Sequence, residues 1–121
     1  MPNLVLASTS IYRRTLLERL GLPFTVARPD TDETPLPDES PQALTERLAL
    51  AKAEAVLAGA ADDTWVIGSD QVAELDSRPL GKPGSHAAAV AQLQSMSGCQ
   101  VRFLTAVCLA GPAGRRLQAL D

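Results

Sequence analysis

The sequence has few cysteines and few aromatic residues, and it contains no long apolar run. Cys99 and Cys108 are the only cysteines, and their spacing suits neither a metal site nor a disulfide-rich scaffold. The apolar stretch at residues 4–7 is too short for a signal peptide or a membrane span, and no basic run precedes it. We therefore expect a cytoplasmic protein with no membrane partner.

The chain also lacks an excess of basic residues. Its 11 Lys and Arg against 14 Asp and Glu give a net charge of -3, which argues against a surface for nucleic-acid polymers. Any anion site must therefore be local, although no glycine-rich Walker or Rossmann fingerprint is present. With 121 residues and 45% hydrophobic content, we expect one globular domain over residues 1–121.

Apolar runs with strand character alternate with segments of helical periodicity. The hydroxyl residues Ser8-Thr9-Ser10, Ser40 and Ser85 suit N-caps of three predicted helices. Four prolines make residues 28–41 a predicted surface loop. The predicted strands cover residues 3–7, 24–27, 64–68, 72–75 (continuing or pairing with 64–68), 101–110 and 116–120. The alternation predicts an α/β fold, and the apparent hairpins make its sheet a mixed one.

Arg13 and Arg14 lie at the start of the first predicted helix, just after Ser8 in a strand-to-helix turn. Free backbone N–H groups and the helix dipole favour an anion at this place, and two guanidiniums would hold a polyphosphate. The alternative is that both arginines are solvated residues of the helix surface.

Three further charged residues suit the same chemistry. Lys52 borders the apolar stripe of the second helix and could reach a cleft, or its stem could simply cover apolar surface. Asp70 follows the predicted end of the most hydrophobic strand, where α/β sheets bind ligands, and is a candidate general base or metal ligand. It could also merely begin a turn. Glu33 could offer a second carboxylate to a hard cation, or be a solvated loop charge.

Lys82 stands between Gly81 and Pro83, two residues that define the local backbone direction and so suit a phosphate contact. An ordinary turn lysine is the alternative. Together these side chains offer four cations and two carboxylates without a histidine or cysteine triad. Such a set suits metal-assisted attack on a phosphoanhydride.

Several short motifs occur in an order that resembles one known family. They are Ala7-Ser8-Thr9-Ser10 with Arg13-Arg14 and Leu16-Leu17, Asp32-Glu33, Lys52, Gly68-Ser69-Asp70-Gln71-Val72, Leu80-Gly81-Lys82-Pro83 and Ser97-Gly98. Over nearly the whole chain they resemble the Maf family of nucleoside triphosphate pyrophosphatases, also called septum formation proteins. The resemblance implies a mixed twisted sheet flanked by helices, with a cleft, as in Maf and inosine-triphosphatase-like folds.

By this resemblance the reaction is metal-dependent hydrolysis of a nucleoside triphosphate to the monophosphate and pyrophosphate, which clears modified nucleotides. The metal would be Mg²⁺ or Mn²⁺. Asp70 would be the general base or a metal-linked carboxylate, and Glu33 would be its partner on the metal. The residues implied to bind the triphosphate are Ser8, Arg13, Arg14, Lys52 and Lys82.

Tyr12 and Gln71 resemble the branch of the family that acts on 7-methyl-GTP. The thymidine and uridine triphosphate hydrolases usually carry Thr where this chain has Gln71, and Tyr12 is an extra residue before the arginine pair. An aromatic ring there could stack on a cationic methylated base, although simple helix packing also explains it. Ile11 stands where the family usually has Pro, which affects only the rigidity of the turn.

Family members continue well past Asp121, where the last predicted strand is still in progress. We therefore expect a fragment that lacks the family's C-terminal segment, with an open sheet edge that could support a homodimer. Two alternatives to an active enzyme stay open. One is a non-catalytic regulator of septum formation that binds a nucleotide or a protein partner, and the other is an inactive remnant.

Overall fold

The computed structural model describes residues 3–75, 78–80 and 85–121. Lys82 lies outside these residues. The elements in chain order are β1 (Asn3–Ala7), α1 (Ile11–Glu18), β2 (Thr25–Ala27), α2 (Pro41–Leu57), β3 (Thr64–Leu75), β4 (Arg78–Leu80), α3 (His86–Met96), β5 (Val101–Ala110) and β6 (Arg116–Leu120).

The strands form one mixed sheet in the order β2-β1-β3-β5-β6, with β4 paired to β3. β1 lies parallel to both β2 and β3. β5 is antiparallel to β3, from Val66 opposite Ala110 to Leu75 opposite Val101, and β6 returns antiparallel to β5. The predicted α/β class with a mixed sheet is therefore confirmed.

Serine caps start α1, α2 and α3, as the sequence predicts. Oγ of Ser10, Ser40 and Ser85 each accepts a backbone N–H three residues further on, which satisfies an amide that the helix cannot. Neither α1 nor α3 contains a buried residue. No helix in residues 3–75, 78–80 or 85–121 has the length and apolarity needed to cross a bilayer.

Helix α2 packs on one face of the sheet through small side chains. The buried residues of this contact are Ala7, Ala49, Ala53, Val66, Ala106, Cys108 and Ala110. At Gly68 of β3 the helix backbone lies very near the strand, because a Cβ there would lie 2.7 Å from the backbone nitrogen of Ala53 and would also meet the carbonyl of Ala49. Lys52 lies between these two alanines in α2, so this close packing brings it onto β3.

Replacing Gly68 by alanine is expected to destabilise the fold. The added methyl meets helix backbone, which cannot move aside as a side chain can, and overpacking of this kind costs about 1–3 kcal/mol. Urea unfolding of G68A measures the loss. G59A is the matched control, since a Cβ at Gly59 meets nothing within 4 Å; equal stability of the two variants would contradict the close approach.

Both cysteines are free thiols. Cys108 is fully buried beneath α2, and its desolvation raises the pKa of the thiol, so it stays protonated at neutral pH. Cys99 is exposed, and its Sγ lies 3.4 Å from the carbonyl oxygen of Ser95. Neither thiol lines the cleft described below.

Candidate active site

The first part of the site is the turn between β1 and α1. The N–H of Ser10 donates to Oγ of Ser8 at 3.0 Å, and the N–H of Arg13 donates to Oγ of Ser10 at 3.2 Å. Both hydroxyls act as acceptors in these bonds, so each keeps a proton that it can donate to a ligand. The turn therefore presents hydroxyl donors at a helix N-terminus, which is a favourable arrangement for an anion.

A polar cleft of about 530 Å³ opens at this turn. Ala7 of β1 pairs with Ala27 of β2, so the segments that follow these parallel strands leave the sheet at the same edge. The cleft is lined by residues 7–10, Tyr12 and Arg13 from the first segment, by residues 28–31 and Glu33 from the second, and by Lys52 and Gln71.

Lys52 of the cleft lining joins two carboxylates, of which Glu33 also lines the cleft and the buried Asp70 does not. Its Nζ lies 3.0 Å from Oδ1 of Asp70 and 2.8 Å from Oε1 of Glu33. The side chains of Lys52 and Asp70 are only 11% and 9% exposed, whereas that of Glu33 is half exposed. The cluster therefore spans α2, β3 and the loop between β2 and α2, three segments that are distant in the sequence.

Asp70 does not end a strand, and that prediction was wrong. β3 runs on to Leu75 because the antiparallel partner β5 pairs with it as far as Val101. The predicted edge does exist in the parallel part of the sheet, since β1 ends at Ala7 opposite Gly68. Asp70 lies two residues beyond this point on the face that α2 covers, which explains its burial.

Asp70 also carries an unsatisfied oxygen. Oδ1 accepts from Lys52, but Oδ2 is buried and has no hydrogen-bond partner among the described residues. A buried carboxylate oxygen without a partner is costly, so Oδ2 is the atom of Asp70 that is available to a ligand or a reactant.

The same residues fit a divalent cation. Glu33 and Asp70 offer oxygen donors, and Mg²⁺ is commonly held by one or two carboxylates together with substrate phosphates and water. No group of three or more His, Cys, Asp or Glu that could hold a metal occurs in the described part of the chain. A bound ion would therefore depend on phosphate oxygens to complete its coordination.

The other predicted site residues divide into two groups. Ser8, Tyr12, Arg13 and Gln71 line the cleft with Lys52 and Glu33. The Gln71 side chain donates a hydrogen bond from Nε2 to Oγ1 of Thr105 at 3.2 Å. Arg14 does not line the cleft; its Nε lies 3.2 Å from Oε1 of Glu18 on the exposed surface of α1. Only one of the two adjacent arginines is thus directed to the cleft.

Sequence reasoning missed Arg28, which also lines the cleft and has no ion pair among the described residues. It directly follows β2, in the position that Ser8 occupies after β1. The available signal was the parallel pairing of two apolar strands, because residues that follow such strands meet at one edge.

The comparisons with known proteins agree with this architecture. A "7-methyl-GTP pyrophosphatase" of Xanthomonas axonopodis pv. citri is 60% identical over 121 residues, which are 100% of this chain and 63% of that protein. The chain therefore spans less than two thirds of the length of this curated relative.

Two solved structures share the fold at low sequence identity. The nucleoside-triphosphatase, or dITP/XTP pyrophosphatase, of Mycobacterium abscessus has a TM-score of 0.64 and 19% identity, with 98% of this chain and 70% of that chain covered. The Ham1 protein of Staphylococcus aureus has a TM-score of 0.68 and 18% identity, with 98% and 68% covered. Such similarity supports the fold alone.

A family model described as "Maf-like protein" matches residues 3–120, and the chain belongs to the Maf family.

Proposed function

We propose that this protein hydrolyses a nucleoside triphosphate to the monophosphate and pyrophosphate. The observation that carries the proposal is the cluster in which Lys52 joins the buried Asp70 to Glu33 in the lining of a cleft that Arg13 and Arg28 also line. Cations and carboxylates meet there as a polyphosphate and its metal would require. The relative named "7-methyl-GTP pyrophosphatase" supports the same reaction class.

The cations of the cleft bind the phosphate chain in this proposal. Arg13 and Arg28 reach the cleft from the two segments that follow β1 and β2, so they can hold phosphate oxygens from two sides. Guanidinium groups suit this role because they donate paired hydrogen bonds. Ser8 adds a hydroxyl donor at the turn. Arg14 and Lys82 stay sequence predictions for this role.

Asp70 receives the proton of the attacking water in this proposal. Lys52 holds Oδ1, which leaves the unpartnered Oδ2 as the acceptor. When a triphosphate enters the cleft, Lys52 can turn from the carboxylates toward a phosphate oxygen, since its long side chain allows such a move.

Glu33 and Asp70 would hold Mg²⁺ or Mn²⁺, which polarises phosphate oxygens and neutralises charge when bound.

Tyr12 and Gln71 support 7-methyl-GTP as the substrate. The Tyr12 ring is exposed at the cleft, where it can stack on a cationic methylated base. The cytoplasmic location and a homodimer remain predictions from the sequence.

A substrate panel tests the proposal. Pyrophosphate release is measured with 7-methyl-GTP, dTTP, UTP and CTP, each with Mg²⁺ or Mn²⁺ and with excess EDTA. We expect the highest kcat/KM for 7-methyl-GTP and loss of turnover in EDTA. Strong preference for pyrimidines would overturn the base assignment. Nucleotide binding without any turnover would favour the non-catalytic regulator.

A further inference from the structure

We propose that Arg47 is a positioning residue that holds Glu33 against Lys52 at the cleft. Arg47 does not line the cleft itself. It acts through the loop that carries Glu33, so the effect of this inference on rate rests on the proposed function.

Arg47 binds the loop by a three-bond contact. Its Nε donates to Oε2 of Glu39 at 2.7 Å, and its Nη2 donates to Oε1 of Glu39 at 3.0 Å and to the carbonyl of Thr34 at 3.1 Å. The Glu39 side chain is only 7% exposed. We call Arg47, Glu39 and Thr34 the loop clasp. The two hydrogen bonds to the Glu39 carboxylate set the orientation of the two side chains as well as strengthening the contact, because the guanidinium is flat and rigid.

The clasp also orders the loop from within. Oε1 of Glu39 accepts the N–H of Leu36 at 3.1 Å, so one carboxylate joins the loop backbone to α2. The hydrogen bonds from Arg47 hold the pKa of Glu39 below its usual range, and the carboxylate is therefore ionised at neutral pH. The loop has no helix or strand of its own to fix it.

The loop clasp is adjacent to the cluster of Lys52, Asp70 and Glu33. Thr34 follows Glu33 directly, and Glu33 reaches Nζ of Lys52 at 2.8 Å from a half-exposed position. Arg47 and Lys52 both belong to α2, so this one helix supplies the lysine and the anchor of its carboxylate partner. Releasing Thr34 would let Glu33 move away from Asp70, and misplacement by about 1 Å can lower a rate by about 100-fold.

The test compares R47K with R116K. Lysine keeps the charge at position 47 but cannot bind both oxygens of Glu39 and the Thr34 carbonyl together. Arg116 is a matched control, because it pairs with Glu54 at 3.3 Å, donates to two backbone carbonyls and is similarly exposed. We expect R47K to lower kcat/KM about 10-fold or more and R116K to leave it near wild type.

A double-mutant cycle separates positioning from a general structural effect. In a Glu33→Ala background, R47K should lower kcat/KM by no more than about twofold, because the residue that it positions is already gone. Full additivity of the two substitutions would overturn the proposal. So would equal kcat/KM in R47K and R116K.

Two readouts do not require turnover. Amide exchange over residues 34–39 should become about fivefold faster in R47K than in R116K, because the clasp's hydrogen bonds are lost. Mn²⁺ binding, followed by electron paramagnetic resonance of the free ion, should weaken in R47K as it does in Glu33→Ala. If the wild-type protein binds Mn²⁺ but hydrolyses no nucleotide, the proposed function is wrong. Amide exchange and Mn²⁺ binding in R47K still support or overturn the positioning role of Arg47.

Discussion

Replacing Asp70 by asparagine is expected to reduce pyrophosphate release about 10²- to 10⁴-fold, the usual contribution of a general base. The amide has the same shape, and its Oδ1 can still accept from Lys52, so the fold should persist. The proton acceptor at Oδ2 and a ligand charge for the metal are both lost. Steady-state kinetics with 7-methyl-GTP and the melting temperature of D70N measure the two effects separately.

Glu74→Gln provides the matched control for this loss. Glu74 lies four residues further along β3, its side chain is mostly buried, and it pairs with Arg102 at 3.6 Å. The same change from carboxylate to amide in the same strand should leave turnover near wild type. If the turnover of D70N lies within about twofold of that of E74Q, Asp70 has no catalytic role, because loss of a general base would lower turnover far more.

Lys52→Met is expected to cause the largest loss of stability. It leaves the buried carboxylate of Asp70 without a counter-charge, and breaking a buried ion pair in this way costs about 3–5 kcal/mol. That is a large part of the roughly 5–15 kcal/mol that stabilises a typical domain. Urea unfolding at neutral pH measures the change in the free energy of unfolding.

Two further variants make the stability result specific. Adding Asp70→Asn to Lys52→Met removes the stranded charge and should restore about 1–3 kcal/mol. Arg102→Met removes the cation of the pair with Glu74. The Arg102 side chain is 64% exposed and the pair is 3.6 Å long, so solvent screens the pair and limits the loss to about 1 kcal/mol. If K52M is no less stable than R102M, Lys52 does not neutralise Asp70 in the folded protein.

The site could be predicted only in part. Lys52 was recognised because it borders an apolar helical stripe, and the structure places it beside both predicted carboxylates. Arg13 and Arg14 were equivalent in the sequence, but the helix directs only Arg13 to the cleft. Arg28 was not predicted as a site residue, because it begins the predicted surface loop at residues 28–41 and only the pairing of β1 with β2 places it beside Ser8.

Local information in the sequence determined the bounds of several elements. Serine caps and the apolar runs at 3–7, 101–110 and 116–120 predicted boundaries that the structure reproduces, because capping and periodicity depend on neighbours within a few residues.

Only the tertiary structure decided where the charges meet. The inclusion of Asp70 in β3 depends on β5, more than 30 residues away, and its burial and pairing with Lys52 depend on how closely α2 approaches Gly68. The position of Glu33 further depends on the Arg47 anchor. The relative positions of these side chains result from packing between remote segments of the chain. No short stretch of the sequence contains that information.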